Sequence, residues 1–353
     1  MHVLHDYGWN DARALGQSVG VAARVVADYG RHYAVVTPER RTAWIRGALE
    51  HDLTPNAMPK IGDFVDVELQ PDGAAIITNV LPRSSEIVRG QVGRLVDKQV
   101  VAANVDVAFV VQPLDHDFSV GRLERYIFQL SSQAIVPIIL LNKTDKADDL
   151  AEKKAQLQNL GVQILAMSAL HDADVVAVRD CIGDGQTAVI LGSSGAGKST
   201  LTNRLLGSEQ QATAPIRERD SKGRHTTVHR ELFLLPGGGM IIDTPGIREL
   251  QLWGSISELD DVFADVRTAA EGCRFGNCTH ESEDGCAVQA AIQSGTLARW
   301  RYNTYVNFKK ELVALAARRE FIQERRSARA KNATNRRRHR AQQRLRSDDA
   351  ERV

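Results

Sequence analysis

Two short stretches constrain this chain more than anything else in it: Asn142-Lys143-Thr144-Asp145, and Gly192-Ser193-Ser194-Gly195-Ala196-Gly197-Lys198-Ser199. The second has the G-x4-G-K-S spacing of a phosphate-binding loop. It lies between an apolar run, TAVILG, and a helical pattern, KSTLTNRLLG, the strand–loop–helix setting that the motif requires. Gly192, Gly195 and Gly197 let the backbone wrap closely round phosphates. Successive amides from Ser193, Ser194 and Ala196, together with the helix N-terminus at Ser199 and Thr200, form a positive cradle. Lys198 is expected to reach the β- and γ-phosphates, and Ser199 to ligate Mg²⁺.

The first stretch selects the base. The Asp145 carboxylate can accept both N1–H and the exocyclic amine of guanine. Adenine lacks that donor pair, and an unpaired buried carboxylate would penalise it. Asn142 can bond the base edge, and the stem of Lys143, followed by Thr144, can pack on the ring. Ser168-Ala169-Leu170 ends the next apolar run and resembles the backup loop for guanine O6. Asp243-Thr244-Pro245-Gly246 ends another, 51 residues after Gly192. Asp243 would hold Mg²⁺ through water, and the Gly246 N–H would meet the γ-phosphate.

All the parts are present, but in an unusual order. The base reader normally follows the phosphate loop, and here it precedes it by 50 residues. The sequence therefore predicts a circular permutation of the GTPase fold, which a parallel sheet tolerates because its sites lie at strand ends wherever the chain breaks. Between the phosphate loop and Asp243 lies RERDSKGRHTTVHRE, read as a mobile loop. Thr226 or Thr227 there is placed to complete the Mg²⁺ shell. Many GTPases carry a water-orienting Gln after D-x-x-G, where this chain has Ile247. His225 is the candidate for that role, since a neutral imidazole can position water or accept a proton, and His229 is second to it.

Residues from about 100 alternate continuous apolar strands with helices, the pattern of a parallel α/β sheet covered on both faces. Residues 20–85 read instead as about five short strands, which suits a small barrel. An OB-fold is the first choice and an SH3-like barrel the alternative. The expected fold is thus multidomain: an N-terminal OB-like β-barrel (1–95), a central permuted α/β P-loop GTPase domain (96–258) and a C-terminal helical zinc-binding domain with a basic tail (259–353).

Cys273-x4-Cys278-x-His280-x5-Cys286 supplies three thiols and one imidazole, a closed tetrahedral Zn²⁺ set with no open position and hence structural. Cys181 stands apart and reads as a small buried hydrophobe. No apolar stretch approaches 18 residues and no signal peptide is apparent, so no membrane role and a cytoplasmic location are expected. The formal net charge is +1, yet Arg318–Arg346 holds twelve Lys/Arg against two Glu. That asymmetry, with Tyr and Trp nearby, suggests a nucleic-acid-facing helix followed by a flexible Arg-rich tail.

The barrel, NKTD, SAL, GSSGAGKS, GRHTT, DTPG and the C-x4-C-x-H-x5-C spacing together resemble the ribosome small-subunit-dependent GTPase family, RsgA/YjeQ, over roughly residues 20–310. The resemblance implies a monomeric GTP hydrolase acting late in 30S maturation. It would be stimulated by the 30S subunit, contact 16S rRNA, turn GTP into GDP with Mg²⁺, and drive release of assembly factors and itself. It also supports His225 as catalytic. Two other readings remain open on the residues: a nucleotide-gated rRNA-binding module whose turnover is not essential, and a P-loop ATPase or kinase with an unrelated zinc domain, against which Asp145 argues.

Overall fold

The computed structural model describes residues 2–10, 20–90, 98–115, 117–211, 230–243, 254–281 and 283–350. They form two compact units. One comprises Met1–Gly90, Lys98–Gly254 and Glu258–Ala264; the other comprises Gln91–Asp97, Ser255–Ser257 and Asp265–Val353.

In the first unit, after the short helix α1 (His2–Asp6), five strands build the barrel: β1 (Val21–Asp28), β2 (Tyr33–Val36), β3 (Arg40–Ile45), β4 (Phe64–Leu69) and β5 (Ala75–Val80). A short helix, α2 (Gly47–Asp52), separates β3 from β4. The order β1-β2-β3-β5-β4, closed by β4 on β1 and with β3 and β5 parallel, is that of an OB barrel. Alternation places Ala23, Val25, Val35, Ala43, Val65, Val67 and Ile77 in its interior. The OB expectation is met and the SH3-like alternative falls.

The other face of β1 is buried as well. Arg24, fully buried, donates to the Tyr7, Gly62 and Asn104 carbonyls and to Thr187 Oγ1, and its guanidinium lies 4.6 Å from the centre of the Phe64 ring. A buried guanidinium is tolerable only because so many oxygens receive its donors. A hairpin of β6 (Glu86–Gly90) and β7 (Lys98–Ala103), absent from the sequence reading, lies in the chain between the barrel and the parallel sheet.

The parallel sheet contains β8 (Val107–Pro113), β9 (Val136–Asn142), β10 (Gln163–Ala166), β11 (Thr187–Gly192) and β13 (Met240–Asp243), in the order β10-β9-β8-β11-β13. Its central strands β8, β9 and β11 are almost continuously apolar and buried because both faces are covered. Phe109, Leu140 and Ile190 pack toward α5 (Asp172–Arg179) and α6 (Lys198–Gln211), meeting Val178, Leu201 and Leu205. The helix α3 (Val120–Ser131), N-capped by Ser119, buries Leu123, Ile127 and Leu130 beside β8 and β9, and α4 (Leu150–Leu157) leads from β9 toward β10.

Beyond β13 lies an antiparallel strand, β12 (Arg230–Leu234), which in turn pairs with β1 at Ala27↔Glu231 and Asp28↔Arg230. Barrel and parallel sheet are therefore one continuous eleven-stranded sheet. Arg230 and Glu231 were expected in the mobile loop, but ladders on both sides draw them into a strand.

After α7 (Ile256–Val262), the second unit holds most of α8 (Ala264–Glu271), with α9 (Ala287–Gln293) and α10 (Arg299–Ala350), and buries Val266, Val288, Leu297, Tyr302, Phe308 and Leu312. Here the sequence reading is corrected. The Arg-rich stretch is not a flexible tail but helical backbone as far as Ala350, consistent with its richness in Arg and Ala, both good helix formers. Among the described residues, no helix is long and apolar enough to cross a membrane.

Candidate active site and metal centre

Parallel registers bring the predicted residues to one end of the sheet. Gly192 pairs with Val111, Val111 with Leu140, and Pro113 with Asn142; one strand further on, Asp243 ends β13. The phosphate loop can run there only on glycine at two points. At Gly192 (φ 138°) a Cβ would lie 2.3 Å from the Val111 carbonyl oxygen; at Gly197 (φ 100°) it would lie 2.3 Å from Asn142 Nδ2. Lys198 Nζ folds over the loop and donates to the Gly192 carbonyl at 2.9 Å and to that of Ser193. Ala196 is buried, Ser193 and Gly197 are half-buried, and Ser194, Gly195, Ser199 and Thr200 are exposed around the cradle.

Asn142, expected from the sequence to face the base, makes further contacts. It is 3% exposed. Its Nδ2 donates to the Ala196 carbonyl at 2.7 Å, and its Oδ1 accepts from the Ala169 amide at 3.0 Å. One side chain thus ties base reader, backup loop and phosphate loop together. Asn142→Ala would strand a buried carbonyl and a buried amide. The expected cost is about 2–4 kcal/mol of stability, with weaker binding of both base and phosphates, read by thermal melting and GDP titration.

Lys143 adopts a left-handed conformation (φ 70°), and its ammonium pairs with Asp115 Oδ2 at 2.8 Å. Thr144 N bonds the Met167 carbonyl. Asp145 accepts from Ser168 Oγ at 2.7 Å, and this hydroxyl holds its carboxyl below the usual carboxylate range, keeping it an ionised acceptor. Ser168 is buried, and its amide donates to Asp174 Oδ2 at the start of α5.

Sequence reasoning missed Asp115, for which no motif exists. It also missed the support below it, in which Arg122 pairs with Asp117 and donates to Gln112 Oε1. Of the remaining predicted residues, Asp243 is half-buried at its strand end. His225, Thr226, Thr227 and Gly246 lie outside the described residues, as does Ile247.

In the second unit Cys273, Cys278, His280 and Cys286 converge, with all four donor atoms within 4.8 Å of one another. The Cys273 and Cys286 sulfurs are 3.9 Å apart, and His280 Nδ1 is 3.4 and 3.6 Å from them. Tetrahedral Zn²⁺ with bonds of about 2.3 Å to sulfur needs an edge of about 3.8 Å, so the set fits one structural zinc. Burial lowers the His280 pKa, which favours the neutral ligand form. The frame is also supported from outside. Cys286 Sγ caps α9 by accepting from the Gln289 amide at 3.4 Å, and Gln289 Nε2 and Tyr302 Oη bond the His280 carbonyl.

Known proteins resemble this chain. The RsgA GTPase family matches residues 80–253. The small ribosomal subunit biogenesis GTPase RsgA of Opitutus terrae is 40% identical over 336 residues, covering 90% of this chain and 91% of the relative. RsgA 2 of Vibrio parahaemolyticus is 40% identical over 294 residues, covering 82% and 79%. The crystal structure of YjeQ from Thermotoga maritima superposes with a TM-score of 0.64 at 24% identity, over 83% of this chain and 98% of that one. YloQ, described as a circularly permuted GTPase, gives 0.61 at 23%, over 83% and 95%. These two structures share the fold with its permuted order. With that order, the guanine and phosphate elements at one sheet end and relatives similar along most of its length, this chain belongs to the RsgA family of GTPases.

Proposed function

We propose that this GTPase acts in biogenesis of the small ribosomal subunit, hydrolysing GTP to GDP and phosphate when bound to the 30S particle. The observation that carries the reading is the Asn142 brace, which joins guanine reader and phosphate loop into one site. In this reading Asp145, Ser168 and Ala169 select guanine, Asn142, Lys143 and Thr144 frame the base, and the loop from Gly192 to Thr200 holds the phosphates. Ser199, Asp243 and one of Thr226 or Thr227 hold Mg²⁺, which neutralises charge developing between the β- and γ-phosphates. Gly246 meets the γ-phosphate and His225 orients the attacking water. The chain works as a cytoplasmic monomer with no membrane partner. Its barrel (1–95) and zinc domain (259–353) grip 16S rRNA, the GTPase domain (96–258) turns over the nucleotide, and turnover releases assembly factors and the protein itself.

The test is GTP hydrolysis with and without purified 30S subunits. Wild type should be strongly stimulated. His225→Ala should lose about 100- to 10,000-fold of the stimulated rate while still binding GTP. An unstimulated wild type would overturn the ribosomal partner. Full subunit release by a His225→Ala protein that no longer hydrolyses GTP would instead favour a nucleotide-gated binding module.

A further inference from the structure

The ammonium of Lys143 has a partner that the guanine motif does not supply. Its Nζ pairs with Asp115 Oδ2 at 2.8 Å, with 31% of the lysine side chain and 33% of the aspartate side chain exposed. An ion pair so open to water adds little to stability. Its place beside the base reader calls for another reason.

Asp115 lies just after β8, where the chain turns toward α3. Its Oδ1 accepts from the Asp117 amide at 3.0 Å, while its Oδ2 meets Lys143. Asp117 is itself anchored. Its Oδ1 accepts from Arg122 Nη1 at 2.9 Å, and its carbonyl accepts from Gln112 Nε2 at 2.9 Å. Lys153 of α4 ties the same connection from another element. It donates to the Leu114 carbonyl at 3.3 Å, and its ammonium lies 5.4 Å from the centre of the Phe118 ring. The carboxylate is thus held by its own surroundings, independently of Lys143.

The lysine is fixed at its other end as well. Its backbone (φ 70°, ψ 38°) occupies the left-handed region, which a non-glycine residue keeps only where its surroundings impose it. The Lys143 carbonyl accepts from the Lys146 amide at 3.0 Å, and the Thr144 amide donates to the Met167 carbonyl. The backbone fixes where the stem begins, and Asp115 fixes where it ends. A free lysine side chain samples many rotamers, and docking a flat base against one of them costs that entropy. Here the ordering is complete before the nucleotide arrives.

We infer that Asp115 is a positioning residue for the nucleotide: it holds the Lys143 stem in place for the base and so sets how long the nucleotide stays. The inference rests on the framing of the base by Lys143 proposed above. Asp115 acts on dwell time and not on base choice, which stays with Asp145.

Stopped-flow release of fluorescently labelled GDP from the full chain tests it. Asp115→Asn is the informative variant. The asparagine oxygen can still accept from the Asp117 amide, while its NH₂ group offers the ammonium no acceptor. This variant should release GDP about 3- to 30-fold faster than wild type at an unchanged association rate. Asp115→Glu should recover most of the wild-type dwell time. In both variants the preference for GDP over XDP and the melting temperature of the unliganded protein should match wild type. Lys143→Ala should release GDP at least as fast, and adding Asp115→Asn to it should change nothing further.

If Lys143→Ala releases GDP quickly while Asp115→Asn keeps the wild-type dwell time, the inference falls and the framing by Lys143 stands. If Lys143→Ala also releases GDP at the wild-type rate, the framing falls and takes the inference with it. Additive losses in the double variant, or a lowered melting temperature with no rescue by glutamate, give Asp115 a structural part only and overturn the positioning role.

Discussion

Replacing Asp145 by Asn is expected to convert the site from guanine to xanthine. The aspartate offers two acceptor oxygens to the two adjacent donors of guanine, N1–H and the 2-amino group. Asparagine keeps one acceptor and turns the other into a donor. It therefore fits N1–H beside the C2 carbonyl of xanthine and opposes the guanine amine. Ser168 Oγ, now bonded to Asp145 Oδ1, can serve the asparagine oxygen equally well, so the loop should hold its shape. Sites built on such hydrogen bonds reject the mismatched analogue by roughly 10,000-fold. GDP affinity should fall by about that order and XDP affinity rise, with the melting temperature of the unliganded protein unchanged. Competition of labelled GDP with GDP and XDP measures both. Unchanged guanine preference would take Asp145 out of base recognition and revive an adenine-nucleotide reading.

Removing the zinc is expected to have the largest effect on structure. The metal-binding stretch between α8 and α9 is held by few apolar contacts; of its four ligands only Cys286 is buried. Structural zinc contributes about 10–16 kcal/mol of binding free energy that is also folding free energy. Cys273→Ser, or a strong chelator, should therefore unfold the loop from Cys273 to Cys286 and fray α9, whose cap is the Cys286 sulfur. The readouts are one zinc per chain in wild type, loss of helical circular dichroism on chelation, and new protease cleavage in that loop. GDP binding, which belongs to the other compact unit, should persist. A chelated protein with an intact loop would show that the four ligands gather without metal and that the zinc assignment is wrong.

Much of this was legible in the sequence for a specific reason. Phosphate and guanine recognition demand particular atoms at fixed offsets from a strand end, so Gly192, Lys198, Asn142 and Asp145 announce themselves whatever order the chain takes. The zinc ligands do so through spacing alone. The barrel strands were visible as short β-branched runs between turns. What escaped was everything set by partners distant in sequence. Asp115 belongs to no motif and gains its role only when β8 and β9 lie side by side. Arg24, in a strand that reads as a plain barrel strand, is buried by groups from four other segments. β12 is too short and too charged to declare itself, and it becomes a strand because β13 and β1 offer ladders on both sides. The base-reading role given to Asn142 was likewise incomplete, since its bond to the phosphate loop joins residues 54 apart.

The continuous sheet also sets a timetable for the nascent chain. β1 is made early, yet its outer partner β12 lies about 200 residues later. At about 5–20 residues per second of synthesis, that edge stays open for roughly 10–40 s. Thr187, whose Oγ1 accepts a hydrogen bond from the buried Arg24, also arrives late. Until then β4 can close the barrel on β1, but the guanidinium lacks its Thr187 acceptor and must be served by water. An open strand edge is a template for pairing with other chains. During those seconds the charges at Asp28 and Arg40, which later face β12, guard the edge against its neighbours.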